Sequence, residues 1–231
     1  MQTITVLDTT RPTFTVPANA TIYKDSSGNA DPSVLVTGDV TNESDNCSTG
    51  LNATYTDSVS TISCVDRKVQ VITRRWSLVD DCGNSTVKYQ TISVLDTIKP
   101  WFTAPSNITI YKDASCNADS STSVTGDVTN ETDNYSTGLN ATFTDNVAGG
   151  SCTGNQVITR SWKLVDGCGN STVKTQVITV LDTVRPTFTL PADITIYKNS
   201  SCNIIDSSVI VTGDVTDESD NCSTGLQATY T

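Results

Sequence analysis

Carboxylates recur along this chain at three repeating points. Asp8, Asp96 and Asp182 fall inside Val-Leu-Asp-Thr segments, Asp45, Asp133 and Asp220 inside Ser/Thr-Asp-Asn loops, and Asp80 and Asp166 inside Val-Asp-x-Cys-Gly-Asn turns. Hard divalent cations take oxygen ligands, and calcium accepts roughly 6–8 of them in irregular geometry. If linker and loops converge, these eight aspartates, with Asn46 or Asn134 and backbone carbonyls, form calcium sites. Asp, Asn and Gly are also ordinary turn formers, and neither an EF-hand nor a nonapeptide calcium motif is present. The sequence therefore leaves two readings open, a calcium site and a plain solvated turn. Zinc and redox metals are not expected, since the chain has no histidine and its cysteines are expected to be oxidised.

Catalytic chemistry finds little to work with. There is no histidine for general-base work, no G-x-S-x-G and no phosphate-cradling glycine loop. The acid pair Asp80–Asp81 becomes Asp166–Gly167 at the corresponding turn, which loses the second acid. The chain is not expected to be an enzyme.

The segments that must position the acids repeat with them. TITVLDTTRPTFTVPANATIYKD begins at Thr3, TISVLDTIKPWFTAPSNITIYKD at Thr91 and VITVLDTVRPTFTLPADITIYKN at Val177. Their aspartates give spacings of 96−8 = 88 and 182−96 = 86 residues, longer than the roughly 20–50-residue coil of a solenoid. Alternating Ile4 and Val6, or Ile92 and Val94, make a strand, which Asp-Thr-x-Arg/Lys-Pro ends because proline donates no ladder hydrogen bond. The expected organisation is a closing strand at 1–8, modules at 9–96 and 97–182, and a partial module at 183–231. In the first module strands are expected at 19–24, 33–41, 51–56, 69–79 and 85–95, separated by Gly, Asn, Asp and Ser clusters. Ile72, Trp76 and Leu78, with Ile158, Trp162 and Leu164 in the next copy, share one strand face and should fill the cores. Arg74 and Arg160 have the same parity, so each belongs at a core edge or beside an acid.

The composition agrees with an all-β chain. Val, Ile, Ser and Thr dominate, and helical candidates are nearly absent. A formal charge of −11 argues against nucleic acid or an anionic membrane as partner, because both demand a basic face. No apolar run reaches the length of a membrane span. Eight cysteines point to an oxidising, extracytoplasmic or cell-surface location.

VLDTTRP, TGDVTxExDNC, ITRxWxLVDxCGN and the QTITVLD close together resemble the hyalin-repeat-like, immunoglobulin-like modules of large bacterial surface adhesins and gliding-motility filament proteins of Bacteroidetes type. The resemblance covers essentially the whole chain. It implies tandem immunoglobulin-like β-sandwich modules of about 86–88 residues joined by short Pro-containing linkers. It also implies an exported structural repeat of a filament or adhesin stalk, with further repeats or copies of itself along a fibre axis as partners. The alternative is a module that binds carbohydrate or a receptor, with surface glycans as partners. Its candidate platforms are Trp76, Trp101 and Trp162, but Trp76 and Trp162 alternate as core residues and Trp101 is not repeated.

The cysteines fall into four slots. The first holds Gly28, Cys116 and Cys202, the second Cys47, Tyr135 and Cys222, the third Cys64 and Cys152, and the fourth Cys82 and Cys168. On an immunoglobulin-like strand path the second and fourth slots share one end of a module and the first and third the other. That favours Cys47–Cys82 and Cys116–Cys152, with Cys64 and Cys168 unpaired. The competing scheme is Cys64–Cys82 with Cys152–Cys168. Sequons begin at Asn19, Asn42, Asn46, Asn52, Asn84, Asn107, Asn130, Asn134, Asn140, Asn170, Asn199 and Asn221. Thr9, Ser58, Thr97 and Thr183 follow aspartate in a context that looks like the O-glycosylation signal of Bacteroidetes; extended-chain propensity alone also accounts for threonine there.

Overall fold

The computed structural model describes residues 1–150, 154–204 and 206–229. Two compact units emerge, one formed by Met1–Phe102, Asn130–Ala141 and Lys163–Thr172, the other by Thr103–Thr129, Thr142–Trp162 and Val173–Thr231. The first copy contributes β1 (Thr13–Thr15), β2 (Ala20–Tyr23), α1 (Val34–Thr37), β3 (Thr41–Ser44), β4 (Thr54–Val65), β5 (Lys68–Val79) and β6 (Ser85–Leu95). The second repeats the order with β7 (Trp101–Thr103), β8 (Ile108–Tyr111), α2 (Thr122–Thr125), β9 (Thr129–Thr132), β10 (Thr142–Gly149), β11 (Gln156–Val165) and β12 (Ser171–Leu181). The third supplies β13 (Thr187–Thr189), α3 (Val209–Thr212) and β14 (Thr216–Ser219). The chain is all-β, and among the described residues helix is confined to four-residue turns.

Four-stranded sheets have the orders β2-β6-β5-β4 and β10-β11-β12-β8, and two-stranded sheets join β1-β3, β7-β9 and β13-β14. β5 pairs antiparallel with β4 and β6, while β2 lies parallel to β6 with Ile22 opposite Val94. Asp66 and Arg67, at φ 50° and 64°, turn β4 into β5, a two-residue left-handed turn whose twist suits a hairpin. In the first unit Ile22, Val69, Ile72, Ile92 and Val94 form one buried cluster and Phe14, Trp76 and Leu78 another. Phe14 lies on β1 and Trp76 on β5, so the small sheet packs face to face on the large one as a β-sandwich. In the second unit the cluster is Ile110, Ile158, Ile178 and Val180.

Strand parity turns Arg74 inward with Ile72, Trp76 and Leu78, and it is fully buried. Its Nε and Nη2 donate to the two carboxylate oxygens of Asp57 at 2.8 Å, and Nη1 donates to Thr37 Oγ1 at 2.7 Å. The guanidinium also lies 4.1 Å from the Tyr55 ring centroid. The hydrogen-bonded Asp57 carboxylate raises the Arg74 pKa, outweighing burial. Arg160 repeats the arrangement with Asp145, Thr125 and the Phe143 ring at 4.0 Å. Of the two placements the sequence allowed for these arginines, pairing with an acid is the one adopted.

The strand expected at 33–41 is replaced by the turn α1 followed by β3. Thr37 Oγ1 donates to Ser33 O at 2.9 Å, Gly38 N to Val34 O at 2.9 Å, and Gly38 takes φ 90°. The turn brings Thr37 to Arg74. The strand expected at 51–56 begins later and runs to Val65, since the hairpin continues to Asp66. In residues 1–8 the repeated closing motif has no ladder, and Ile4, Val6 and Leu7 are exposed. Their counterparts Ile92 and Val94 are buried in β6 between β2 and β5. Phe188 in the third copy is 51% exposed, against 3% for Phe14 and 0% for Phe102.

Candidate cation sites and disulfides

Two acidic triads form, both inside the first unit. Carboxylate oxygens of Asp8, Asp45 and Asp80 lie within 4.8 Å of one another, and so do those of Asp96, Asp133 and Asp166. Each acid is aimed by backbone N–H groups of its own turn. Asp45 Oδ2 accepts from Cys47 N at 2.9 Å and Ser48 N at 3.0 Å, and Asp80 Oδ1 from Cys82 N at 2.9 Å and Asn84 N at 2.7 Å. In the second triad Asp133 Oδ2 accepts from Tyr135 N and Ser136 N, and Asp166 Oδ1 from Cys168 N and Asn170 N. An asparagine amide ties turn to linker in both. Asn84 Nδ2 donates to Asp80 Oδ2 at 2.8 Å and Asp8 O at 3.1 Å; Asn170 Nδ2 donates to Asp166 Oδ2 at 2.8 Å and Asp96 O at 3.3 Å.

These bonds leave oxygens over. Asp8 Oδ2, Asp96 Oδ2, Asp133 Oδ1 and Asn134 Oδ1 are buried without a donor, and among the described residues no Lys or Arg pairs with any of the six acids. Buried acceptors are ordinarily satisfied, and three convergent carboxylates repel one another unless a cation lies between them. Asp96 is fully buried. Burial pushes its carboxyl above the ordinary carboxylate range, and the Asp133 and Asp166 charges add to this against the hydrogen bond from Ile98 N. Asp8, at the same point of the repeat but half-buried, shifts down, because the hydrogen bond from Thr10 N outweighs burial. The donor set is all oxygen, which fits calcium.

Asp182 and Asp220 join no triad among the described residues. Asp182 Oδ1 accepts from Val184 N, and Asp220 Oδ2 from Cys222 N and Ser223 N. The role of Asn84 and Asn170 was missed in the sequence, where both read as sequons. Their signal was the fixed Asp-x-Cys-Gly-Asn spacing, which lets the Asn reach back to its own Asp. Asn170 is buried, and the half-buried Asn134 and Asn221 donate to Asp25 O and Asp113 O. A sugar at Asn84, Asn134, Asn170 or Asn221 would displace these bonds. Asn19, Asn42, Asn46, Asn52, Asn107, Asn130, Asn140 and Asn199 are exposed, as are Thr9, Ser58, Thr97 and Thr183.

The disulfides correct both schemes read from the sequence. Cys64 bonds Cys168 and Cys116 bonds Cys222, each with Cα atoms 5.1 Å apart. Cys47 and Cys82, expected as partners, are both free and exposed; Cys64 and Cys168, expected to be unpaired, bond each other. Cys116 is taken by Cys222, which removes the Cys116–Cys152 pair, and Cys152 itself lies outside the described residues. The expectation failed because it closed each copy on itself. The observed separations of 104 and 106 residues exceed the repeat, so each bridge joins a cysteine to one in the following copy. Each bridge also lies within a single compact unit.

No family model matches the chain, and no curated protein matches it. Solved structures do. Human mucin-like protocadherin EC1-2 is 13% identical over 74% of this chain and 99% of that one, with a TM-score of 0.31. Human CDH23 EC21-23 is 14% identical over 93% and 81%, with a TM-score of 0.36. Drosophila N-cadherin EC1-4 is 15% identical over 78% and 53%, with a TM-score of 0.28. At these values the sites stand on their own residues.

Proposed function

We propose that the chain is a non-enzymatic structural repeat of an extracellular filament or adhesin stalk, in which disulfides and calcium fix each copy to the next. One observation carries the reading. Both disulfides span more residues (104 and 106) than one repeat (88 or 86), so the cross-links serve continuity from copy to copy. Disulfides of this kind suit an oxidising compartment. Asp8, Asp45 and Asp80 would hold one calcium and Asp96, Asp133 and Asp166 another, with the orphaned oxygens of Asp8, Asp96 and Asp133 as ligands. The ion would supply charge neutralisation, and the acids of linker and loops would lock the segments they belong to. The exposed Thr9, Thr97 and Thr183 in the linkers, with Ser58 and the exposed sequons, would carry sugars. Immunogold electron microscopy of source cells, with antibody raised to this chain, should decorate surface filaments along their length. Label confined to filament tips would favour the binding-module alternative, and intracellular label would contradict the reading.

A further inference from the structure

Sorted by place in the repeat, the bridged cysteines obey one rule. Cys64, at the end of β4, bonds Cys168 in the Asp-x-Cys-Gly-Asn turn of the following copy. Cys116 bonds Cys222 in the Asp-Asn-Cys loop of the following copy. One copy earlier, the position of Cys116 is held by Gly28 and that of Cys222 by Tyr135. The rule makes these two partners, and both ends of that bridge are missing together. Noncovalent contacts stand in its place: Lys24 Nζ donates to Gly28 O at 2.6 Å and sits 4.9 Å from the Tyr135 ring centroid. Loss of both ends at once is what a real pairing register produces.

Three described thiols remain, Cys47, Cys82 and Cys202, all exposed. Cys47 occupies the position of Cys222 and Cys82 that of Cys168, both of which receive a bridge from the preceding copy. Cys202 occupies the position of Cys116, which sends one onward. The match extends to the backbone. Cys116 and Cys202 take φ 63° and 65°, and their N–H groups donate to Asp113 O and Asn199 O at 3.0 and 2.9 Å.

We propose that Cys47 and Cys82 receive, and Cys202 sends, disulfides to flanking modules of this same repeat. Cys47 takes a thiol presented as Cys116 is, Cys82 one presented as Cys64 is, and Cys202 bonds a thiol presented as Cys222 is. The flanking module comes from a second copy of this chain or from further repeats of one polypeptide; the chemistry is the same. Each bridge forms by exchange with a disulfide oxidant such as oxidised glutathione. A thiolate attacks the oxidant to give a mixed disulfide, and the second cysteine thiolate displaces the leaving thiol. The two cysteines lose two protons and two electrons, and the oxidant's disulfide is reduced to two thiols.

This inference rests on the copy-to-copy reading above, and one experiment separates their failures. Native material from the source is alkylated without reduction, digested and mapped for disulfide-linked peptides by mass spectrometry. The expected result is Cys47 linked to a Ser-Cys-Asn peptide, Cys82 to a peptide matching the end of β4, and Cys202 to an Asp-Asn-Cys-Ser peptide. If Cys47 links to the Cys202 peptide itself, the source is a second copy; a peptide of different sequence identifies further repeats. A Cys47–Cys82 peptide, or alkylated Cys47, Cys82 and Cys202, overturns the inference. Where Cys64–Cys168 and Cys116–Cys222 are still found, the copy-to-copy reading survives that result; where they are absent, both fall.

Discussion

Asp8 and Asp96 hold the same place in the repeat, yet their carboxyls shift in opposite directions because only Asp96 is fully buried. Its raised value has a defined consequence for stability. The proton on Asp96 stabilises the ion-free fold; that contribution is complete below the ordinary value of 3.8 and is lost as pH rises through the raised one. If calcium occupies the proposed site the sign would reverse, since Asp96 would have to ionise to bind it, and that stabilisation would be present at neutral pH and lost on acidification. In chelator, the stability of wild type relative to Asp96→Asn should rise as pH falls from neutral; in calcium it should fall. Asp96→Asn should also reduce the calcium bound per chain from two ions to one by titration calorimetry. Identical curves with and without calcium would contradict the site. The acids themselves were legible because they recur with the period. Convergence of six of the eight was not, since a triad needs linker, loop and turn brought together by the fold, which periodicity alone does not show.

Among the elements, β5 illustrates what alternation does and does not reveal. Its pattern placed Ile72, Trp76 and Leu78 in the core and Arg74 on the same face, at a core edge or beside an acid, but did not name Asp57. Register supplies that name, since Asp57 stands directly opposite Arg74 on β4. The recurrence of Asp145 with Arg160 was the available signal. Removing the acid leaves a guanidinium buried without its counter-charge, so Asp57→Ala should destabilise by about 3–5 kcal/mol. Arg74→Met leaves an acid whose side chain is 22% exposed and can hydrate, and should cost less in the same urea denaturation. The opposite order would show that Arg74 acts through packing alone. The segment at 33–41 misled because Val-Leu-Val-Thr suits a strand as well as a turn; Pro32 before it and Gly38 after it were the cues to a short turn.

Across the whole molecule, the repeat and the all-β class were legible because period and strand composition need no tertiary knowledge. The cysteine register was not, because the bridges cross from one copy to the next and slot positions within a single copy do not show that; the paired absence at Gly28 and Tyr135 held the information. Loops of this length give a disulfide about 4–5 kcal/mol in the chain-entropy account, but their larger consequence is mechanical. Because the two bridged loops overlap, the shortest covalent path between the chain ends runs through Cys116–Cys222, which withholds 106 residues. Pulled from its ends by optical tweezers, the oxidised chain should stop short of full length and gain roughly 350–380 Å on adding reductant, at about 3.3–3.6 Å per residue. Cross-links closing each copy on itself would instead release two separate loops of 82−47 = 35 and 152−116 = 36 residues. That pair of short steps, or full extension without reductant, would contradict the account of copy joined to copy.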